Sequence, residues 1–372
     1  MSEQVQISPA VEPIAPSPAP PGLPGPPAPP ILQPDAGYLG YDRTLLRPMS
    51  FGMKLRALLK YIWVRLKGGP MSVNMEVTYL CNATCDFCDY WKTKRSGKLG
   101  DYDYVAALRK LNPLSVTLTG GEPTINKQLP EAVRRIKESQ GFVYIGMVTH
   151  GSLLTVKKAM ALWDAGLDHI SISLNYIGRE HDEERGIEGL YEHITTLVPQ
   201  LTTRGVNVIF NTVIMRDNLD HVVPIAHLAR TMGAKVSYSC YSDFKNGNET
   251  HLVDPAHAER LESVIEDLIY QKSRLGNIVS SAWYLRRIPD YFQNALPGSC
   301  TAAGKWLVQL TPDGDIKPCA ELPVSSGYAD FKKVSKKIDC NRCWYSCRGE
   351  TESSLKIGRL WEGLERVWKA GV

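Results

Sequence analysis

The sequence has no uninterrupted apolar run of about eighteen residues, the length a membrane-spanning helix needs. It lacks the basic start and apolar stretch of a secretory signal, so the chain is expected to stay in the cytoplasm. It also lacks a strong charge imbalance: 43 Lys and Arg face 39 Asp and Glu, a net charge of +4. Together with the absence of basic residues interleaved with aromatics in a groove pattern, this argues against a nucleic-acid partner. Acidic residues are missing altogether between Arg43 and Met75, where seven basic residues fall. Cysteine, by contrast, is present nine times. Disulfides are rare in the cytosol, so these thiols need another explanation. Eight of the nine fall into two groups.

Residues 1–37 hold 12 of the 25 prolines, with Ala and Ser prominent among the rest. Such a composition cannot bury enough apolar surface to offset its ordering entropy, and a disordered, partly polyproline-II tail is expected. Residues 38–70 read as a basic amphipathic helical segment. Within 51–67, Leu55, Leu58, Leu59, Ile62, Trp63 and Leu66 follow helical spacing. Two readings stay open: the stripe packs against the rest of the chain, or it lies on an anionic membrane surface. Gly68-Gly69-Pro70 ends the helix.

Residues 71–295 alternate short β-rich segments with amphipathic helical ones. Strands are predicted at 73–80, 115–119, 143–149, 169–174, 206–214 and 235–240. Helices are predicted near 102–111, 128–139, 154–165, 188–203, 219–232 and 255–274. Six successive βα units imply an α/β fold, a partial (β/α)6 TIM-like barrel with helices outside. Chemistry in such a fold sits at the C-terminal ends of the strands. Residues 296–372 lose the rhythm and read as a small Cys-rich module stabilised by metal, with helix returning only near 354–370. A monomer is expected.

The first cysteine group, Cys81, Cys85 and Cys88, follows the first strand in CNATCDFCDYW. Three thiolates within eight residues can converge on one soft metal centre. A structural zinc would want a fourth Cys or His nearby, and none follows. Three ligands on a four-iron cluster leave one iron open to an external ligand.

This Cys-x3-Cys-x2-Cys spacing, with Phe87 before the last cysteine, resembles the radical S-adenosylmethionine (SAM) superfamily. The resemblance implies that the open iron of a [4Fe-4S] cluster chelates SAM. Reductive cleavage then gives a 5′-deoxyadenosyl radical that abstracts hydrogen from substrate. Gly120-Gly121-Glu122-Pro123 resembles the family's GGEP segment, which implies that Gly120 and Gly121 let the backbone approach SAM and that Glu122 holds its amino group. Thr149-His150-Gly151 stands where Thr-Asn-Gly is common, so no side-chain role is carried over to His150. The segment from Ser171 to Leu174 resembles the one whose serine contacts SAM, which points to Ser173; Asn175 replaces the usual Asp after it. NTVIMRDN resembles a fifth-strand pattern of molybdenum-cofactor-type members, which implies a SAM contact for Asn211 and, second to it, Arg216. Arg185 in HDEERG reads most simply as a surface ion-pair residue.

The second group, Cys300, Cys319, Cys340, Cys343 and Cys347, resembles the SPASM and twitch auxiliary-cluster domains. A full SPASM domain has seven cysteines. Five imply a twitch-like module with one further [4Fe-4S] cluster, its ligands Cys300, Cys319, Cys340 and Cys343, with Cys347 in competition. Thiolates alone do not distinguish iron–sulfur from zinc, so a non-catalytic scaffold with structural zinc stays the alternative. Cys240 in YSCYSD is a buried small hydrophobe or, at the barrel mouth, a hydrogen-atom donor; Tyr238, Tyr241 and Asp243 line the same mouth or pack and cap loops. The resemblance implies a flavodoxin- or ferredoxin-type electron donor. The substrate stays open among a small molecule, a lipid and a peptide, and peripheral membrane association is kept with the helix at 51–67.

Overall fold

The computed structural model describes residues 49–95, 97, 99–334 and 338–352. The expected Pro-rich tail and the helix expected near 354–370 lie outside the described residues. No described helix is long and apolar enough to cross a membrane.

Six parallel strands form in chain order: β1 (Ser72–Glu76), β2 (Ser115–Thr119), β3 (Tyr144–Thr149), β4 (His169–Ser173), β5 (Val208–Ile214) and β6 (Lys235–Cys240). Each pairs in parallel with the next. The helices that precede and link them are α1 (Phe51–Lys67), α2 (Tyr104–Leu111), α3 (Leu129–Ser139), α4 (Val156–Asp164), α5 (Arg179–Arg185), α6 (Leu190–Thr202) and α7 (Leu219–Thr231). After β6 come α8 (Ala258–Leu275), α9 (Ala282–Leu285) and α10 (Ile288–Phe292). This is the expected α/β partial barrel. The apolar core, including Val116, Ile145, Ile170, Phe210 and Val236, lies between the strands and the helices.

The opposite face of the strands is polar. One register level runs Gln309, Asn74, Thr117, Gly146 and His169 across neighbouring strands. Another runs Ser173, Asn211 and Ser237. A Cβ on Gly146 would stand 2.0 Å from the ring of His169, so the ring lies where it does against a bare glycine. These levels line a central cavity of about 450 Å³. A polar, roomy lumen departs from a side-chain-filled barrel and leaves space for ligands.

The C-terminal region is stitched into the same sheet. Strand β7 (Leu307–Leu310) pairs in parallel with β1, and β8 (Asp315–Lys317) and β9 (Ser326–Gly327) continue antiparallel beyond it. A further helix, α11 (Ser346–Glu352), follows. At the other end of the strands, α1 lies across the N-terminal side of the barrel. Lys60 donates to the Phe142 carbonyl (2.6 Å) and to Gln140 (3.0 Å), just before β3. Arg65 covers the Trp306 ring at 4.6 Å, just before β7.

The first strand ends at Glu76, earlier than predicted. Val77–Leu80 peel away because their carbonyls serve the loop after β2: Gly121 N donates to Thr78 O (2.9 Å) and Glu122 N to Leu80 O (2.7 Å). This needs glycine. A Cβ on Gly121 would sit 2.0 Å from Leu80 O, and one on Gly120, whose φ is +129°, 2.3 Å from Thr78 O.

Candidate active site

The loop carrying Cys81, Cys85 and Cys88 leaves β1 at the C-terminal end of the barrel. Trp91 Nε1 donates to Cys85 O (2.9 Å) and Asn246 Nδ2 to Asp86 O (2.8 Å). Asn82 Nδ2 donates to Ser152 Oγ (3.0 Å), and Thr84 N to Arg185 O (2.9 Å). Gly186 follows at φ +62°, where a Cβ would stand 2.0 Å from Thr84 Oγ1. Phe87 meets Tyr241 edge-on at 6.4 Å. Tyr241 thus packs the loop, and Asp243 pairs with Arg342 at 2.8 Å.

The three thiols crowd one another. Burial pushes Cys81 up to about 11, and the nearby charges of Glu122, Cys85 and Cys88 add to the effect. Burial raises Cys85 as well, against the opposing charge of Arg185. Thiols gathered in this way without a disulfide need a cation to become thiolates, and a cluster iron supplies one.

Arg185 is a correction to the surface reading. It is buried, its Nη1 donates to Cys85 Sγ (3.4 Å), and its guanidinium lies 5.3 Å from the Phe87 ring centre. Its Nε is 3.2 Å from Glu184 Oε2 without reaching hydrogen-bond geometry. Asn175 Nδ2 donates to Glu184 (2.6 Å) while Asn175 Oδ1 accepts from Val213 N (2.9 Å). An Asp at 175 could not donate to that carboxylate, which accounts for the amide.

Glu122 is fully buried. Its oxygens accept from Thr124 N (3.0 Å), Thr124 Oγ1 (2.5 Å), Thr149 Oγ1 (2.6 Å) and His150 N (3.0 Å), and His150 Nε2 lies 3.2 Å away. A carboxylate offers about four lone-pair sites. Thr124 and Thr149 crowd Oε1 while Oε2 takes only the His150 N–H, so Glu122 clamps the ends of β2 and β3 and keeps acceptor capacity at Oε2. His150 also approaches Asn82 Oδ1 (3.2 Å), tying the cysteine loop to β3. Burial holds its pKa below the ordinary value despite Glu122. Nothing in the linear pattern around His150 signals that role.

Ser171 and Asn211 line the central cavity, and Asn211 Oδ1 accepts from Ser237 Oγ (3.1 Å). Ser173 shares the face of Ser171 one pleat nearer the mouth, opposite Asn211. Arg216 does not join them; its Nε pairs with Asp217 at 2.9 Å beside a separate surface groove. Cys240 does not line the cavity either. Ser237 and Ser239 take the lumen face of β6, so parity turns Tyr238 and Cys240 toward the core, where Cys240 Sγ lies 3.7 Å from Tyr284 Oη. Burial raises its thiol strongly. The hydrogen-donor reading is therefore dropped.

Four lumen groups went unread in the sequence. Buried Glu76 accepts from Tyr90 Oη and from Gln309 Nε2. Lys245 lies 4.5 Å from the Tyr90 ring centre. Burial alone would lower Lys245, but Cys88, Glu321 and Glu76 outweigh it and raise its pKa.

All five C-terminal cysteines line a second, tighter cavity. Cys347 lines the central cavity too. Burial pushes Cys347 up to about 12, with Cys319 and Cys300 contributing; burial also raises Cys343, with Cys347 and Cys300 contributing. No three His, Cys, Asp or Glu side chains among the described residues converge as ligands of one ion.

Residues 75–229 match the family described as the Radical SAM superfamily. The PqqA peptide cyclase of Methylobacterium nodulans is 29% identical over 263 residues, covering 67% of this chain and 66% of that relative. The chain thus spans just under two thirds of that relative's length. The PqqA peptide cyclase of Gluconobacter oxydans is 27% identical over 283 residues, covering 73% of this chain and 76% of its own. Streptococcus suis SuiB bound to S-adenosylmethionine superposes with a TM-score of 0.57 at 15% identity, over 76% of this chain and 69% of that one. SuiB bound to precursor peptide SuiA gives 0.56 at 16%, over 81% and 71%. At these identities the structures establish the fold. Strand-end cysteines, a GGEP loop locked by backbone contact and the family match agree: residues 75–229 are similar to the Radical SAM superfamily.

Proposed function

We propose that the chain is a radical SAM enzyme that modifies a peptide, drawing one of its side chains into the central cavity. The observation that carries the reading is that this cavity, of about 450 Å³, has Cys88 and Cys347 in its wall. Substrate held there lies between the two cysteine groups. The volume suits one side chain and its neighbouring backbone together with part of a cofactor. The relatives named above as peptide cyclases support a peptide over a small metabolite or a lipid.

Cys81, Cys85 and Cys88 are the proposed ligands of the SAM-cleaving cluster. When bound, SAM and that cluster supply a 5′-deoxyadenosyl radical that removes hydrogen from substrate. Ser173 and Asn211 offer hydrogen bonds at one level of the lumen, and the backbone of Gly120 and Gly121 faces the same end. Glu122 holds that backbone in place and is the proposed partner of the SAM amino group. Arg185 braces Cys85, while Lys245 and Tyr90 close the mouth beside Cys88 and limit entry of water. Cys300, Cys319, Cys343 and Cys347 are the proposed ligands of an auxiliary [4Fe-4S] cluster, Cys347 being preferred to Cys340 because it lines both cavities. An electron donor of the flavodoxin or ferredoxin type would serve both centres.

Anaerobic reconstitution is expected to load about eight irons per chain. The reduced enzyme is then incubated with SAM and cell extract grown on deuterated amino acids, separated by size. Deuterium reaching 5′-deoxyadenosine from the peptide fraction supports the reading. Deuterium arriving only from the small-metabolite or lipid fraction overturns it.

A further inference from the structure

The described surface carries one feature that the chemistry does not use. Of the twelve large hydrophobic side chains exposed among the described residues, eight lie on α1. Leu66 is 82% exposed and Leu59 58%. A surface helix ordinarily turns such residues inward. Here the inward positions are small or basic: Ala57 and Val64 are buried, with Lys60 reaching Phe142 O between them.

At about 100° per residue, Leu55, Leu58, Leu59, Ile62, Trp63 and Leu66 fall within an arc of roughly 140°. Arg56 and Lys67 border that arc on one side, and Lys54 and Arg65 on the other. The helix has no acidic residue. A broad apolar stripe edged by cations on both sides, with a Trp near one border, is the geometry of a helix lying in the lipid interface. Two such faces brought together would set cation against cation, which disfavours a second copy as occupant.

We propose that α1 is an anchor that seats the N-terminal end of the barrel on an anionic lipid bilayer. The orientation follows from the fold. The helix crosses the side of the barrel where β1, β3 and β7 begin, and the cysteine loop leaves from where β1 ends. A five-residue strand spans about 17 Å, so the mouth opens away from the lipid. The helix therefore places the enzyme at the membrane without delivering lipid to the cavity, and a substrate arriving from the aqueous side remains compatible with it.

The test uses the full-length, cluster-loaded enzyme in vesicle flotation. Vesicles are phosphatidylcholine alone, or phosphatidylcholine with about 30 mol% phosphatidylglycerol. Binding is expected to the anionic vesicles, falling with salt, and to be weak on the neutral ones. Leu59→Glu with Leu66→Glu should abolish it, and Arg56→Gln with Lys67→Gln should weaken it roughly thirtyfold. Iron content should be unchanged in both variants, which separates lost docking from lost folding. Absence of binding to anionic vesicles, or binding unaffected by Leu59→Glu with Leu66→Glu, overturns the proposal. So does a concentration-dependent dimer that these substitutions dissolve, since it assigns the face to a second copy.

Discussion

Replacing Arg185 by Met tests whether this buried cation sets the electronic properties of the adjoining cluster. Its Nη1 lies 3.4 Å from Cys85 Sγ, and both groups are buried. A hydrogen bond to a charged acceptor contributes about 1.5–3 kcal/mol. A cluster gains negative charge on reduction, so the bond strengthens in the reduced state. If about 1.4 kcal/mol of it is differential, Arg185→Met lowers the one-electron potential by about 59 mV. Glu184, 3.2 Å from Arg185 Nε, predicts the opposite sign. Glu184→Gln removes a neutralising charge, keeps the partner of Asn175, and should raise the potential. The assay is a mediated redox titration followed by electron paramagnetic resonance, in a Cys343→Ser background that retains only the first cluster. Iron content and thermal melting report on folding. Variants with full iron and unchanged potentials would refute the electrostatic reasoning and leave Arg185 as a brace for the loop.

Cys347→Ser should lower the iron count from about eight to about four per chain, whereas Cys340→Ser should leave it near eight; the reverse pattern would reinstate Cys340 as a ligand. Gly121→Ala drives a Cβ to within 2.0 Å of Leu80 O. A strain of about 1–3 kcal/mol or more should displace the cysteine loop and halve the bound iron, with the auxiliary centre intact. Burial holds the Lys60 pKa down to about 8 from its ordinary 10.5. The folded state releases that proton first, so its contribution is unfavourable below about 8. Stability is then recovered as pH rises toward 10.5. Melting curves should show that gain in the parent and not in Lys60→Met; parallel profiles would exclude the linkage.

Strands β2 and β6 and helix α1 match their predicted limits because hydrophobic period and glycine punctuation are local signals. Helix α5 was not predicted: seven residues, REHDEER, carry no apolar stripe, and the helix is held by contacts with the cysteine loop. The same locality misplaced Arg185, since nothing near it in sequence reveals that Cys85 covers it. Cys240 failed on parity. A strand whose lumen face is polar and whose outer face is apolar inverts the expectation that a strand-end cysteine faces the site. Glu76 and Lys245 were overlooked because a charge beside a cavity and a charge beside solvent look alike in a linear pattern. The cysteine spacing and the GGEP loop were legible because ligation and backbone approach both depend on a few consecutive residues.

The pairing of β7 with β1 carries an implication for any attempt to dissect this enzyme. The strand that launches Cys81 is zipped on its outer side to the first strand of the module bearing the second thiol set. Cutting the chain before 300 would strip Ser72–Met75 of those partners and leave β1 a raw edge, open to self-association. The two halves are thus one mechanical piece, and the separation of their cysteine groups is ruled by sheet register rather than by a hinge.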